Sequence, residues 1–432
     1  MAGVSQLPVE VLHQIFGLLK RQPISYRTHS IPQYHLASLI RVCKHWHPIA
    51  ERLLYQSVAI GSDLFHDDVY TTAIDDNPYS FMSGEYIDRL HIQLEDAREY
   101  NAPIRTASHV IRHFLKTLRE NQRLAAIVTE LQLLIPDYKS KYDEDESRSA
   151  KILATLPNVK HVKLIIGFNS FAVESFTESV VLKESLVSFE VDNPKGEDLL
   201  TRLWTVPTLL RMMRKCRQIE HVEISSYALS PNGRDDDEGD DEAELNCCPK
   251  LQSFILCQGR HEQVMLRSHD LRNLLRMCPA GIKTFKAPLA MDDGTLEALG
   301  DCIRAWAPTL ETLNISKSDV NEPSSSFPPL SDCVTDLLRL EFLALEPLIL
   351  DPCALSTLPN LKGLCVSSLS GRGRRELLVA LNDPNKFSAL RTIYISFAES
   401  APLDSKEIML HCKFVDSLER RGITYDYENV FP

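Results

Sequence analysis

No stretch of this sequence approaches the roughly 18 uninterrupted apolar residues that a membrane-crossing helix needs. Its opening, MAGVSQLPVEVL, has neither a basic leader nor a long apolar core. The expectation is a soluble intracellular protein, cytoplasmic or nuclear, with no membrane partner. Excess positive charge is also missing: 47 basic side chains stand against 59 acidic ones, for a formal charge of −12. Two runs hold the whole acidic surplus, DEDE at 143–146 and DDDEGDDEAE at 235–244, and outside them the signs balance. Like charges at that density repel and read as solvated loops. With no basic face in view, a nucleic-acid partner is not expected. Eleven cysteines, an odd number, cannot close a disulfide framework, and an intracellular chain keeps them reduced. No G-x-S-x-G, glycine-rich phosphate loop or H-E-x-x-H occurs. The expected protein is therefore no enzyme and carries no cofactor.

What is present begins with LPVEVLHQIFGLLK. Pro8 stands at a helix start, where a missing amide donor costs nothing. Leu12, Ile15, Phe16 and Leu19 then recur at helical spacing. RQPISYRTHSIPQY reads as a loop. HLASLIRVCKHW returns to the helical period, bringing Leu36, Leu39, Ile40, Cys43, Trp46 and His47 near one another, with Val42 beside Trp46 one turn on. Pro48 ends that helix or opens the next, PIAERLLY. Cys43 and His47, four residues apart, would suit a shared metal. His45 points elsewhere and no second ligand pair lies at a finger-like distance, so an apolar helix face is expected rather than a metal site.

Leu7, Pro8 and Glu10, then Ile15 and Leu19, then Leu36, Leu39, Val42, Cys43 and Trp46, with Leu54 and Tyr55 closing, resemble an F-box over about the first fifty-five residues. The order LPxE then VCKxW carries the resemblance. It implies a small three-helix module that docks on the Skp adaptor of SCF ubiquitin ligases and so holds a substrate receptor near a cullin. By that resemblance Leu7, Pro8, Ile15, Val42 and Trp46 belong to the adaptor face or its immediate support. Two features depart from the family pattern: the long loop between Leu19 and Leu36, and Pro48 where the third helix often continues.

Beyond it a phrase L-x-x-L-x-L returns: IDRLHI (87–92), VTELQL (128–133), VKHVKL (159–164), LVSFEV (186–191), IEHVEI (219–224), LQSFIL (251–256), IKTFKA (282–287), LETLNI (310–315), LEFLAL (340–345), LKGLCV (361–366) and LRTIYI (390–395). After a first gap of about 41 residues the phrases follow at about 21 to 33, the range of leucine-rich repeats and their longer variants. Several are preceded by a proline, as in Leu156-Pro157, Cys248-Pro249, Cys278-Pro279, Ala307-Pro308 and Leu358-Pro359. Helical patterns fill the intervals, among them SHVIRHFLKTLREN, EDLLTRLWTVPTLLRMMRKC, HDLRNLLRMC, GTLEALGDCIRAWA and RRELLVALND. No single strand-and-helix unit buries its own apolar face, so a solenoid is expected. The usual asparagine after each strand is mostly absent, which predicts no regular asparagine ladder. Cys216, Cys248 and Cys278 recur just before a strand phrase and read as small apolar residues in a repeated core slot. Cys247, Cys248 and Cys257 lack zinc-knuckle spacing.

The expected fold class is α/β: a three-helix F-box at 1–60, a linker or cap at 61–86, and at 87–432 an irregular leucine-rich-repeat solenoid with parallel strands inside and helices outside. In this the chain resembles leucine-rich-repeat F-box proteins of the divergent kind common in fungi. Period-two alternation in the strands then predicts a target-binding stripe. It holds Arg89, His91, His161, Lys163, Glu190, His221 and Glu223 as polar orienting groups, with Phe342 and Tyr394 as aromatic anchors. The function this implies is a substrate receptor of an SCF ubiquitin ligase, partnered by the Skp adaptor, through it by cullin, and by an unidentified protein target. An F-box scaffold acting without ubiquitin transfer is the alternative.

Overall fold

The computed structural model describes residues 8–20, 38–60, 107–135, 150–166, 180, 184–192, 206–225, 245–257, 265–290, 292–317, 331–345, 352–367, 371–396 and 405–426. The chain divides into two compact units, residues 1–186 with 191–201, and residues 187–190 with 202–432.

The first unit opens with α1 (Val9–Lys20), then α2 (His47–Gln56) and β1 (Ser57–Ile60). After these come α3 (Ala107–Glu120), α4 (Gln122–Ile127), β2 (Glu130–Ile135) and β3 (His161–Ile166). Pro48 sits in the first turn of α2 and so opens that helix. The helix expected through residue 46 is not formed as written. Ser38 and Leu39 are helical, and residues 40–46 form a run of turns. There Arg41 N–H donates to Ser38 O and Val42 N–H to Leu39 O, both at 3.1 Å, short-range bonds that tighten the chain. Ile40, Val42, Cys43, His45 and Trp46 are all weak helix formers, so periodicity alone does not sustain the helix there.

Helix α2 passes into β1 with no residue between them. β1 pairs in parallel with β2, Ser57 opposite Glu130 through to Ile60 opposite Leu133, and β2 pairs likewise with β3. Thr129 secures the junction by donating its N–H and its hydroxyl to Gln56 O, at 2.9 and 3.2 Å.

β4 (Ser188–Asp192) lies at the chain junction between the units. The second unit continues with α5 (Val206–Lys215), β5 (His221–Ser225), β6 (Ser253–Cys257), α6 (Ser268–Met277), β7 (Thr284–Leu289), α7 (Asp293–Trp306) and β8 (Thr312–Lys317). It closes with α8 (Ser331–Val334), β9 (Phe342–Leu345), α9 (Pro352–Leu355), β10 (Gly363–Ser367), α10 (Gly371–Asn382), β11 (Thr392–Ser396), α11 (Ser405–Arg420) and β12 (Thr424–Asp426). From β5 to β12 each strand pairs in parallel with the next in sequence. Parallel neighbours, most of them joined through a described helix, make a solenoid-like repeat, which fits leucine-rich repeats.

The phrase at 87–92 lies outside the described residues; in the others each strand begins at the third residue of its phrase. Where described, the first, fourth and sixth positions are buried, as with Ile219, Val222 and Ile224, or Leu310, Leu313 and Ile315. The residue before most of the strands offers its carbonyl to two amides of the next repeat. Glu220 O accepts from Gln252 and Ser253 at 2.8 and 3.0 Å, and Lys283 O accepts from Glu311 and Thr312 at 2.8 and 2.9 Å. The prolines ahead of the phrases stand in short turns, most of two residues, and the residue after the proline often reaches back one repeat. Asn158 Nδ2 donates to Ala126 O, Thr309 Oγ1 to Ile282 O, and Asn360 Nδ2 to Leu338 O. That polar contact holds successive repeats where the usual asparagine ladder is missing. Gly281 makes one such turn: its φ is +107°, and a Cβ there would come within 2.1 Å of Thr309 Oγ1.

Cys216, Cys248 and Cys278 lie buried in the expected slot. Cys248 donates to Met213 O at 3.3 Å and Cys278 to Leu274 O at 2.8 Å, so these thiols also satisfy carbonyls at helix ends. Burial pushes the Cys216 thiol up to about 11 and raises that of Cys278 further, which keeps both protonated and inert.

Candidate functional site

The N-terminal segment closes a small core from Leu12, Phe16, Ile49, Ala50 and Leu53, with Leu39, Ile40, Trp46 and Leu54 against it. Trp46 meets Phe16 edge-on, ring centroids 5.3 Å apart. Trp46 is half-buried, so among the expected adaptor-face residues it acts as internal support. His47 turns Nδ1 toward Ile40 O at 3.3 Å and Nε2 toward the Glu51 carboxylate at 3.9 Å.

Helix α1 carries apolar residues on two adjoining stripes. Leu12 and Phe16 fill the core, whereas Val11 and Ile15, also one turn apart, remain 37% and 43% exposed. Val9 at the start of the helix is 43% exposed, Val42 in the turn run is 56% exposed, and Pro8 is exposed as well. Ile15, Val42 and Pro8 were legible as candidates. Val9 and Val11 were not singled out, although V-x-V-x-x-x-I beside the Leu12 and Phe16 stripe is the signal that finds them. Leu7 lies outside the described residues.

One contact ties this segment to the repeats behind it. The Glu51 carboxylate, nearly buried on α2, accepts two hydrogen bonds of 2.7 Å from Arg123 Nη2 at the start of α4. Glu51 and Arg123 are 72 positions apart, and no local spacing predicts the pair. Together with the pairing of β1 on β2, it makes α2 the helix of a first repeat as well as the last helix of the N-terminal segment.

Residues 4–60 match the F-box-like family. The match takes in α1, the turn run and α2, and it ends on the last residue of β1. Comparison of the chain with curated proteins gives no match.

The strand stripe sorts as follows. Arg89 and His91 lie outside the described residues. His161 is exposed and Lys163 half-buried on β3 of the first unit. In the second unit Glu190 is half-buried on β4 and accepts from Ser188 Oγ at 3.4 Å. His221 Nε2 stands 3.4 Å from Glu223 Oε2 on β5. Phe342 is half-buried and Tyr394 is 38% exposed, two strands apart on β9 and β11. Gly363, opposite Phe342 on β10, has no Cβ because one would meet the Phe342 ring at 2.7 Å, so that ring lies over the neighbouring strand. Between Phe342 and Tyr394 stand the small residues Ala344, buried, and Cys365, half-buried, an apolar seat of short side chains. Sequence reading found the two aromatics but not the glycine that lets one of them lie flat.

Proposed function

We propose that this chain is the non-catalytic substrate-recognition subunit of an SCF-type E3 ubiquitin ligase, acting in the cytoplasm or nucleus. Its F-box docks on the Skp adaptor, which joins it to cullin, while the open strand face grips the target protein. The observation that carries this reading is the second apolar stripe of α1, left uncovered inside a segment that matches the F-box-like family. Full burial of a Val or Ile contributes about 1.5–3 kcal/mol, and Val9, Val11, Ile15 and Val42, each about half exposed, have roughly half of that left to contribute on a partner. They form the apolar part of the docking face once the module is held in shape. Glu51 and Arg123 supply part of that preorganisation.

Co-purification with the Skp adaptor tests the reading, comparing wild type with a Val11→Asp, Ile15→Asp double variant. The expected result is loss of adaptor capture with only a small fall in melting temperature, because both side chains are already partly exposed. Undiminished capture by the double variant would show that α1 is not the docking face.

A further inference from the structure

This inference rests on the strand face of the second unit being the grip. In that face the third residues of the strands form one row across the sheet. Glu223 stands opposite Ile255, and Ile255 opposite Lys286, so the carboxylate and the ammonium are two strands apart. Farther on, the row reaches Ala344, Cys365 and Tyr394 around the seat beside Phe342. The β5 end is acidic beyond Glu223: Glu220 precedes that strand, and its amide bonds to Val187 O, which starts β4 and β5 in step and makes Glu190 the counterpart third residue. Near the seat, Glu341 and Lys362 pair with each other at 2.7 Å and leave little net charge there.

We propose that this face takes one extended segment of a target protein, laid across the strands, with a basic, an acidic and an apolar residue in that order from β5 to β10. The basic residue meets Glu223 and its acidic neighbours, the acidic one meets Lys286, and the apolar one fills the seat between Phe342 and Tyr394. Strands lie about 4.8 Å apart and an extended chain advances about 3.3 Å per residue, so the acidic residue follows the basic one by about three positions and the apolar residue follows by about four more. Charge order along the face selects the segment, and the apolar anchor holds it.

The test uses the full-length chain and fluorescent peptides of about twelve residues, built on Gly, Ser and Thr, with Arg, Asp and Leu at those spacings. A second set exchanges the Arg and the Asp, and both sets are made in each chain direction. In anisotropy titrations the Arg-first order is expected to bind roughly tenfold or more tighter in one chain direction. A Glu223→Lys, Lys286→Glu double variant is expected to reverse the preference, and Phe342→Ala to weaken both sets. Equal binding of the two orders, no binding of either, or a preference that ignores the double variant overturns the proposal. Adaptor capture by the same preparations keeps the two readings apart: intact capture without peptide discrimination defeats this assignment alone, and absent capture defeats the receptor reading.

Discussion

The N-terminal segment and the repeats of the second unit dispose of their apolar side chains in opposite ways. In the repeats, phrase positions one, four and six are sealed between strand and helix, as Trp306 of α7 against Phe285 of β7 shows, with centroids 5.4 Å apart. The exposed apolar residues outside the strand face, such as Leu245, Leu338, Val379 and Met409, fall on separate elements or turns. Scattered single residues of that kind are ordinary for a folded surface. Helix α1 is different, because within two turns it buries one apolar stripe and presents another to water. The difference teaches that the segment keeps apolar surface in reserve, which the proposed docking would cover, whereas the repeats bury theirs in their own core.

Substitutions on the two sides should break that contrast if it is wrong. Leu313→Ala in the sealed core of β8 is expected to cost about 2–5 kcal/mol, visible as a fall in the denaturation midpoint. The Ile15→Asp change is expected to lower that midpoint far less and to remove adaptor capture, so equal destabilisation by both would erase the distinction. Arg123→Ala strands the nearly buried Glu51 carboxylate and is expected to cost about 1–3 kcal/mol, while weakening adaptor capture although Arg123 lies outside the matched segment. A smaller effect sharpens the description of Trp46, whose indole N–H is buried without an acceptor among the described residues. Trp46→Phe keeps the aromatic contact with Phe16 and removes that unpaired donor, so its cost should stay within about 1 kcal/mol, against several for Trp46→Ala.

The sequence shows the repeats more clearly than the module that precedes them. A phrase that recurs every 21 to 33 residues places its strands to the residue, because among the described phrases the third position begins the strand. Strands β1 and β12 escape the pattern: Tyr55 and Gly422 occupy the slots where the phrase has Leu, Ile or Val, and pairing with a neighbour supplies what local pattern does not. The turn run at 40–46 was misread as helix because apolar spacing there is helical while the residues themselves favour turns. At the candidate sites, Ile15, Val42, Phe342 and Tyr394 are visible in the sequence as apolar residues off the core register, and the structure leaves the first two and Tyr394 exposed and Phe342 half-buried. Glu51 with Arg123, and Gly363 beneath Phe342, depend on contacts between elements and have no local signature.

Hydrogen exchange on the full-length chain, with and without purified Skp adaptor, tests most directly whether the uncovered stripe is built to be covered. Slowed exchange on addition of adaptor is expected within residues 8–20 and 38–46, with β5 to β11 unchanged. Protection confined to the strands of the second unit, or no protection of α1 at saturating adaptor, would contradict the account.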